Sequence, residues 1–442
     1  MLDIMLPTIL FVLAFSAYFK LLIDCPLLPG IDGPYYVVQV VHIMKTGSLK
    51  YPDPPLTFYI MYIFTLLCGD VFLGVKLAVS VLTALSLIPL FFVVTYVTNS
   101  RSIAALSSIV YSLSFYILRM MSDFMKNSIG LLWLNTGLLT LVCFMNRRLS
   151  KRQFVITYLA VLFLTGVTHI LDFWTLIAYS IVIAVLWLFL TSDKERSEFM
   201  IKAILTTQVT ILTIFFVCAT TLTGGDIFKV LSFISDLATS MTPIEARGKL
   251  PLSTRVLVPV ITAIAAPFTC LINKKNKIES TMALSSATMT FLLNLLPLPF
   301  SWIMRLNLMS CIPLAIMMGI LVNIVAKSTE HVIAASLILI PSLTLISVID
   351  SFKPRPSIPP PAYEELKEII LRMNDERTVW LVPDTRIRYW VETIIDNVIA
   401  NPKALLWHRY KILILVYKLP HIKPIKARLV YSGMFFNIYR LR

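Results

Sequence analysis

The chain has 442 residues, of which 57% are hydrophobic and 14% are charged, and its mean hydropathy is +0.82. A soluble domain carries about 25% charged residues, so this composition excludes an ordinary water-soluble protein. Only α-helices and closed β-barrels cross a membrane, because lipid offers the backbone no hydrogen bonds. The apolar runs are about 18–25 residues long, which suits spanning helices and exceeds the length of a barrel strand. We therefore expect an all-α polytopic transmembrane bundle.

The net charge of +15 is unevenly distributed along the chain. Residues 351–442 contain sixteen Lys and Arg but only eight Asp and Glu, so about half of the excess lies there. The rest lies mostly in short loops, where positive charge sets membrane orientation. No basic and aromatic module stands apart from the apolar runs, so we expect no nucleic-acid partner. The six cysteines show no CxxC spacing, which favours packed thiols over a metal or redox site.

Eleven apolar segments are long enough to be predicted transmembrane helices. They are Met5–Leu22, Val71–Thr98, Ile103–Leu118, Ile129–Met145, Phe154–Thr168, Phe173–Leu190, Ile201–Thr221, Val256–Ile272, Thr281–Leu298, Leu306–Val325 and Val332–Ile349. A twelfth apolar segment, Leu56–Leu67, is too short to cross a bilayer comfortably. We expect it to lie in the membrane interface or to dip into it.

Basic clusters in the short loops orient the bundle. If Leu56–Leu67 does not span, the clusters within 147–152, 194–196 and 274–277 all lie on one side, which the positive-inside rule makes cytoplasmic. The first long loop and the C-terminal tail then face outward. We therefore predict a multi-pass protein of the cell membrane with a cytoplasmic N-terminus and an extracytoplasmic C-terminal domain.

The sequence predicts three parts: a transmembrane module over 1–350 with an outer loop at 23–70, a linker over 351–361, and a small α/β domain over 362–442. The linker contains Lys-Pro-Arg-Pro and Pro-Pro-Pro, a composition that is semi-rigid and extended. In the domain we predict helices over Ala362–Met373 and Tyr389–Ala400, and strands over Thr378–Val382, Lys411–Val416 and Met434–Leu441.

The first outer loop reads Gly-Ile-Asp-Gly-Pro-Tyr-Tyr over residues 30–36. The flanking glycines place Asp32 on a tight turn, and Pro34 suits the first turn of an interfacial helix over Tyr35–Met44. A carboxylate on a rigid turn, beside an aromatic residue such as Tyr35, suits a general base or a metal ligand. The alternative is that Asp32 only caps this helix.

Two later outer loops also carry ionisable residues. In Arg119–Ser128, Asp123, Lys126 and Asn127 place a carboxylate, an ammonium and an amide at an outer helix entrance. The alternatives are an N-cap at Asp123 and a snorkelling anchor at Lys126. His169 precedes Asp172 by three residues, the spacing of a His–carboxylate pair or of two metal ligands on one helix face. A histidine with a purely structural role is the alternative there.

Two further cations lie at predicted outer helix ends. Arg305 follows a Pro-Leu-Pro-Phe-Ser-Trp run, and a planar guanidinium matches phosphate oxygens well. Lys76 lies near the outer end of the second predicted span. Interfacial snorkelling is the alternative for both. Arg247, Lys249 and Arg255 are weaker candidates in the long loop Gly224–Arg255, which would fold over the site as a lid.

The run Asp-Gly-Pro-Tyr-Tyr at 32–36, then a short helix, Thr-Gly at 46–47, and Pro-Asp-Pro-Pro at 52–55 before an apolar helix form one pattern. This pattern resembles the first outer loop of the polytopic family C (GT-C) glycosyltransferases. These include oligosaccharyltransferases, protein O-mannosyltransferases and lipid A aminoarabinose transferases. It is most similar to uncharacterised prokaryotic members labelled 6-pyruvoyl-tetrahydropterin synthase-related membrane proteins, a label that does not indicate pterin chemistry. The resemblance covers residues 1 to about 190.

The resemblance implies an enzyme that moves a sugar from a polyprenyl-phosphate-linked donor to a glycan, lipid or protein acceptor at the outer membrane face. It makes Asp32 and Asp123 the catalytic acidic residues. Where a divalent ion such as Mg²⁺ or Mn²⁺ is used, its ligands would be Asp32, Asp123 and His169. Substrate or phosphate binding would fall to Lys126, Asn127, Arg305, Lys76 and Tyr35. One departure is Asp53, because aminoarabinose transferases carry a lysine before this Pro-Pro pair.

Two other functions are compatible with the sequence. A transporter or flippase for a lipid or amphiphile would place ionisable residues near mid-membrane on broken helices. A non-catalytic membrane assembly protein would use its C-terminal tail as a binding module. The acidic residues gather instead at predicted outer helix ends, which favours interfacial chemistry.

Overall fold

A computed structural model describes residues 2–222, 266–267, 276–295, 300–325, 354–399, 411–418 and 427–440. The chain forms two compact units. The first comprises Met1–Phe19, Pro52–Thr57 and Val79–Lys353, and the second comprises Lys20–Tyr51, Phe58–Ala78 and Pro354–Arg442. Residues before 80 contribute to the core of the second unit. The domain boundaries at 351–361 and 362–442 stay a prediction.

Helices account for most of the described chain. They are α1 (Leu2–Ile23), α2 (Gly33–Thr46), α3 (Leu56–Cys68), α4 (Val71–Leu85), α5 (Leu87–Thr98), α6 (Arg101–Ser112), α7 (Phe115–Asp123), α8 (Met125–Met145), α9 (Lys151–Thr168), α10 (Ile170–Leu190), α11 (Lys194–Leu222), α12 (Lys277–Leu295), α13 (Phe300–Leu308), α14 (Cys311–Val325), α15 (Pro360–Met373) and α16 (Thr385–Glu392).

Several of these helices are long and apolar enough to cross a membrane. Within the described ranges six qualify: Ile4–Ile23, Val71–Thr98, Met125–Met145, Ile170–Leu190, Lys194–Cys218 and Trp302–Ile324. The pair α6 and α7, bent by 46°, makes a seventh if it is counted as one span. The predicted polytopic all-α bundle with a small C-terminal α/β part is thereby confirmed.

The predicted spans differ from the helices in detail. The segment Ile103–Leu118 is not continuous, because Ser114 accepts a hydrogen bond from the Ile117 N–H and begins α7. The stretch Arg119–Ser128 is not a loop, since only Phe124 separates α7 from α8. Two predicted spans, Val256–Ile272 and Val332–Ile349, and the loop Gly224–Arg255 with its three basic candidates lie wholly or almost wholly outside the described residues.

Small residues allow the helices of the first unit to approach closely. Helix α8 packs against α5, α9 and α10, and α10 also packs against α12. A Cβ atom at Gly137 would lie 2.6 Å from the Leu176 side chain, and one at Gly130 would lie 2.3 Å from Asp172 Oδ2. Glycine is favoured at such helix interfaces because it brings the two backbones together.

The C-terminal part of the second unit contains a five-stranded sheet. Its strands are β1 (Thr378–Leu381), β2 (Val398–Ile399), β3 (Lys411–Tyr417), β4 (Arg428–Ser432) and β5 (Phe436–Arg440). Their order is β2-β1-β3-β5-β4, with the first three parallel, β5 antiparallel to β3 and β4 antiparallel to β5. Trp380, Trp390 and Phe436 fill the core, which also contains Leu27 and packs against Phe72.

Most predicted elements of the tail are confirmed, namely α15, β1, β3 and β5. The predicted helix Tyr389–Ala400 is wrong in its limits. The Asp384 side chain accepts a hydrogen bond from the Arg386 N–H at 2.9 Å, so α16 begins at Thr385. The helix ends at Glu392, and Val398–Ile399 then pairs with β1 as a strand. Strand β4 was not predicted.

The short apolar segment predicted at Leu56–Leu67 forms helix α3, which has 13 residues. It ends where Gly69 adopts φ +68°, a left-handed conformation that glycine takes without strain, and the Gly69 N–H donates to Thr65 O at 2.9 Å. Asp70 Oδ1 then accepts from the Leu73 N–H at 2.7 Å and begins α4. The two helices touch at Gly74, where a Cβ atom would lie 2.4 Å from Thr65 Cα.

We predict that Gly74→Ala destabilises the protein by about 1–3 kcal/mol, because the added methyl group would push the α3 backbone away. Alanine is favoured over glycine by about 1 kcal/mol inside a helix, so the clash must outweigh this gain. The thermal unfolding midpoint in detergent measures the effect. Leu67→Ala, on the exposed side of the same hairpin, serves as the control. An unchanged or raised midpoint for Gly74→Ala would show that the helices can separate at no cost.

Candidate functional site

The junction between α7 and α8 positions the first group of candidate residues. Asp123 ends α7, and its Oδ2 atom lies 2.6 Å from Arg119 Nη2, one helical turn earlier. The N-cap position of α8 belongs to Phe124, and no side-chain capping bond forms there. The alternative reading of Asp123 as an N-cap is therefore wrong. Its carboxylate instead forms an ion pair at the end of α7.

Lys126, in the first turn of α8, forms an ion pair with Asp53. Its ammonium donates to Asp53 Oδ2, and the two side chains are only 17% and 11% exposed. In the sequence, Asp53 is distinguished only as a departure from the aminoarabinose transferase pattern. The pairing was not predicted, because 73 residues separate the partners. The one sequence feature that pointed to this pair was a carboxylate, Asp53, at the position where aminoarabinose transferases carry a lysine.

His169 and Asp172 form the predicted histidine–carboxylate pair. His169 Nδ1 lies 2.7 Å from Asp172 Oδ2, and Asp172 is fully buried. The two residues do not share a helix face as expected, because His169 is extended, with φ −159° and ψ 131°, at the N-cap of α10. Gly130 gives the carboxylate its space. Within the described ranges, Asp172 Oδ1 has no hydrogen-bond partner.

Two cations lie within electrostatic reach of this pair. Burial lowers the pKa of His169 well below its usual value, and the positive charges of Lys126 and Arg305 lower it further. The structure thus brings together three of the predicted site residues, which lie far apart in the chain.

Arg305 lies in α13 and is half-buried. Its guanidinium carbon lies 5.4 Å from the centroid of the Phe124 ring and 5.6 Å from that of Trp302, within the range of cation–π contacts. No carboxylate in the described part of the chain forms an ion pair with it. Asn127, the other candidate on α8, is buried with its Nδ2 atom 3.8 Å from Met309 Sδ.

Asp32 belongs to the second unit and occupies the N-cap position of α2. Its side chain makes no capping hydrogen bond, and its backbone has φ −86° and ψ −5°. The alternative reading, in which this carboxylate caps the helix, is therefore wrong. The turn is tight, because Gly30 has φ +79° and a Cβ atom at Gly33 would lie 2.9 Å from Leu28 O. The turn thus holds Asp32 on a rigid backbone, as the glycines predicted.

Tyr35 contributes to an aromatic cluster next to this turn. Its ring centroid lies 5.2 Å from that of Tyr389, 5.8 Å from Phe58 and 6.0 Å from Tyr51. Burial raises the pKa of Tyr389, and the charges of Glu392 and Asp32 raise it further, whereas Arg388 opposes this change. Asp32 therefore lies within electrostatic reach of the cluster. A direct role of Tyr35 in binding substrate stays a prediction.

Lys76 contacts backbone oxygens. The side chain is buried and donates to Cys25 O at 2.5 Å and Pro26 O at 3.3 Å. These bonds stabilise the chain just after α1, and they differ from the snorkelling anchor that was the alternative. Its predicted contact with phosphate has no support from this geometry and stays a prediction.

The donor set for a divalent ion is not assembled. Among the residues that the structure describes, no three His, Cys, Asp or Glu side chains are grouped as a metal ion would require. The Asp123 carboxylate forms an ion pair with Arg119, and His169 Nδ1 contacts the Asp172 carboxylate. A divalent ion therefore stays a prediction, and we derive no step through a metal.

We predict that Asp53 and Lys126 are energetically coupled by about 1–3 kcal/mol, because a mostly buried pair is poorly screened by solvent. A double-mutant cycle with Asp53→Asn and Lys126→Met, followed by thermal unfolding, measures this coupling. Lys151 and Glu195 form an exposed pair at 2.6 Å that serves as the control, with an expected coupling of about 0.5 kcal/mol or less. Equal coupling energies in the two cycles would show that burial does not strengthen the ion pair between Asp53 and Lys126.

Comparison with known proteins identifies the fold. No family model and no curated protein sequence matches the chain. The apo oligosaccharyltransferase of Archaeoglobus fulgidus superposes with a TM-score of 0.61 at 11% identity, over 93% of this chain and 69% of that one. ArnT from Cupriavidus metallidurans, bound to undecaprenyl phosphate, superposes with a TM-score of 0.51 at 12% sequence identity. The match covers 98% of this chain and 97% of that one.

The mycobacterial arabinofuranosyltransferase AftD gives a TM-score of 0.52 at 13% identity, over 84% of this chain and 29% of that one. Likeness at such low identity establishes the fold alone. The three proteins are membrane glycosyltransferases of the superfamily that the first outer loop resembles. The chain therefore has the fold of the polytopic family C glycosyltransferases.

Proposed function

We propose that this chain is a membrane glycosyltransferase that moves a sugar from a polyprenyl-phosphate-linked donor to an acceptor at the outer membrane face. The observation that carries the proposal is a glycosyltransferase fold over almost the whole chain with Asp32 on its rigid turn. The likeness to a structure with bound undecaprenyl phosphate supports a lipid-phosphate donor. The Asp-Gly-Pro-Tyr-Tyr run supports a place among the uncharacterised prokaryotic members that the sequence resembles.

In this proposal Asp32 is the general base. It accepts the proton of the acceptor hydroxyl or amide while the acceptor atom attacks the anomeric carbon of the donor. The new bond joins that carbon to the acceptor, and the bond to the phosphate oxygen breaks with inversion. The leaving group is a polyprenyl phosphate, whose oxygen needs little protonation, so one carboxylate suffices as base. Asp123 stays a candidate second carboxylate, although Arg119 forms an ion pair with it.

Stabilising the phosphate falls mainly to Arg305. Its planar guanidinium suits phosphate oxygens, and no described carboxylate neutralises it. Lys126 contributes less positive charge, because Asp53 is its partner. His169 Nδ1 faces Asp172, which leaves Nε2 as the ring nitrogen that can contact the substrate. Cationic groups aimed at the developing charge are the usual basis of phosphate stabilisation.

In this proposal the N-terminus lies in the cytoplasm and the C-terminal domain lies outside. The positive-inside distribution and the short helix α3 support this orientation. The acceptor remains defined only as a glycan, lipid or protein with a nucleophilic hydroxyl or amide.

We predict that Asp32→Asn lowers sugar transfer by at least about 100-fold, because general base catalysis contributes about 10²–10⁴-fold. The assay follows a radiolabelled polyprenyl-phosphate sugar in proteoliposomes that contain the full chain. Asp24→Asn removes an exposed carboxylate shortly before this turn and should leave transfer unchanged.

Other outcomes would separate the alternative functions. Lipid movement between leaflets in a protein that transfers no sugar would indicate a flippase. If the Asp32→Asn variant replaces the wild type in cells and partner proteins assemble normally, the chain would be a non-catalytic assembly protein. Either result would contradict the proposed transfer.

We predict that Arg305→Ala lowers kcat/KM for the lipid-linked donor by about 10–100-fold, through the loss of a charged hydrogen bond to phosphate. Arg305→Lys should recover only part of this loss, because an ammonium cannot bind two phosphate oxygens in the planar geometry of a guanidinium. Lys202→Ala removes an exposed cation of α11 and serves as the control. An unchanged donor KM and kcat in Arg305→Ala would remove this residue from the phosphate site.

A further inference from the structure

Glu392, the last residue of α16, is almost fully buried, with 2% of its side chain exposed. The Tyr51 hydroxyl donates to both of its carboxylate oxygens at 2.7 Å, and Lys50 Nζ lies 3.3 Å away. Arg388 Nε lies 3.5 Å from the same carboxylate. A buried carboxylate is costly unless hydrogen bonds and opposite charges stabilise it. Two of its three partners belong to the first outer loop, far from Glu392 in sequence.

Tyr51 is well suited to hold this carboxylate. Burial raises its pKa, and the hydrogen bond to Glu392 raises it further, so the hydroxyl remains a donor at any physiological pH. Its ring packs against that of Tyr35, with centroids 6.0 Å apart. The bond to Glu392 therefore fixes an aromatic side chain that contacts the start of α2.

Gln39 connects Tyr51 to the same helix. This side chain is fully buried, and its Oε1 atom accepts from the N–H groups of Lys50 and Tyr51 at 2.9 and 3.1 Å. Its Nε2 atom donates to Tyr51 O at 2.8 Å and to the Tyr35 hydroxyl at 2.9 Å. The loop after α2 is thus tied back to the first two turns of α2, whose N-cap is Asp32.

The C-terminal part also contacts the turn itself. The Gly30 N–H donates to Arg355 O at 2.9 Å, two residues before Asp32. On α16, the Tyr389 ring lies edge-on to Tyr35, with centroids 5.2 Å apart. Asp32 is therefore held between a backbone bond on one side and the Glu392 network on the other.

We propose that Glu392 is a positioning residue, which acts through Tyr51 and Gln39 to hold the start of α2 and thereby the carboxylate of Asp32. This inference rests on the proposed function of Asp32. The C-terminal domain then belongs to the catalytic apparatus. A displacement of about 1 Å at a reacting group lowers turnover by about 100-fold, so a distant hydrogen bond of this kind has a measurable effect.

The experiment uses the full chain in proteoliposomes with the variants Tyr51→Phe, Glu392→Gln and their combination. Tyr51→Phe keeps the aromatic ring and removes only the hydroxyl. Tyr59→Phe is the matched control, because the exposed Tyr59 hydroxyl bonds Gly47 O at 2.8 Å at the far end of α2. Two measurements are made on each protein: hydrogen–deuterium exchange of peptides covering residues 28–40, and kcat and KM for sugar transfer.

We expect each single variant to lower kcat by about 10–100-fold with an unchanged donor KM. Amide exchange within residues 28–40 should rise by about 10-fold or more, with unchanged exchange in β1 and β3. The double variant should be no worse than the poorer single variant, because both changes break one connection. Tyr59→Phe should match the wild type in both measurements.

Three results would overturn the inference. The first is normal exchange within residues 28–40 in both single variants. The second is a fall in kcat accompanied by faster exchange throughout the sheet, which would indicate general unfolding. The third is a double variant whose losses simply add. If the wild type transfers no sugar, the proposed function fails by itself. The exchange measurement then still decides whether Glu392 holds the turn: a local rise supports the connection, and no rise overturns it.

Discussion

A buried charge without a partner is costly, and this constraint governs the polar part of the molecule. A chain with so few charged residues satisfies the buried ones in small groups. Lys126 pairs with Asp53, and Glu392 accepts a hydrogen bond from Tyr51 and forms ion pairs with Lys50 and Arg388. Each group joins segments that the chain must bring together. The same contacts that make these charges tolerable also fix the loops in which the chemistry is proposed to occur.

Local sequence features accounted for much of the fold. Apolar runs predicted the long helices because hydropathy over about 20 residues is a local property. The glycines around Asp32 and the proline after it predicted the turn and helix α2, since backbone conformation there depends on adjacent residues. The helix break at Ser114 was missed because serine is common inside membrane helices as well as at their starts.

The site itself was only partly predictable. Lys126, Arg305 and His169 were named as separate candidates, and the structure places His169 within electrostatic reach of the other two. Their partners were not foreseen. Asp53 and Lys126 are 73 residues apart, and Tyr51 and Glu392 are 341 apart, so no spacing rule connects them. The strand β4 was missed for a similar reason, because its side chains are mostly exposed and lack the alternation that indicates a strand.

Because Gly130 of α8 lies close to Asp172 of α10, the residue type at one position limits the residue type at the other. Glycine inside a helix costs about 0.5–1 kcal/mol relative to alanine, so α8 is locally less stable than it could be. This loss makes space for an acidic group on the neighbouring helix. In related chains the two positions should therefore vary together. A larger residue at 130 should accompany a smaller or apolar one at 172, and with it the loss of the group that orients the histidine.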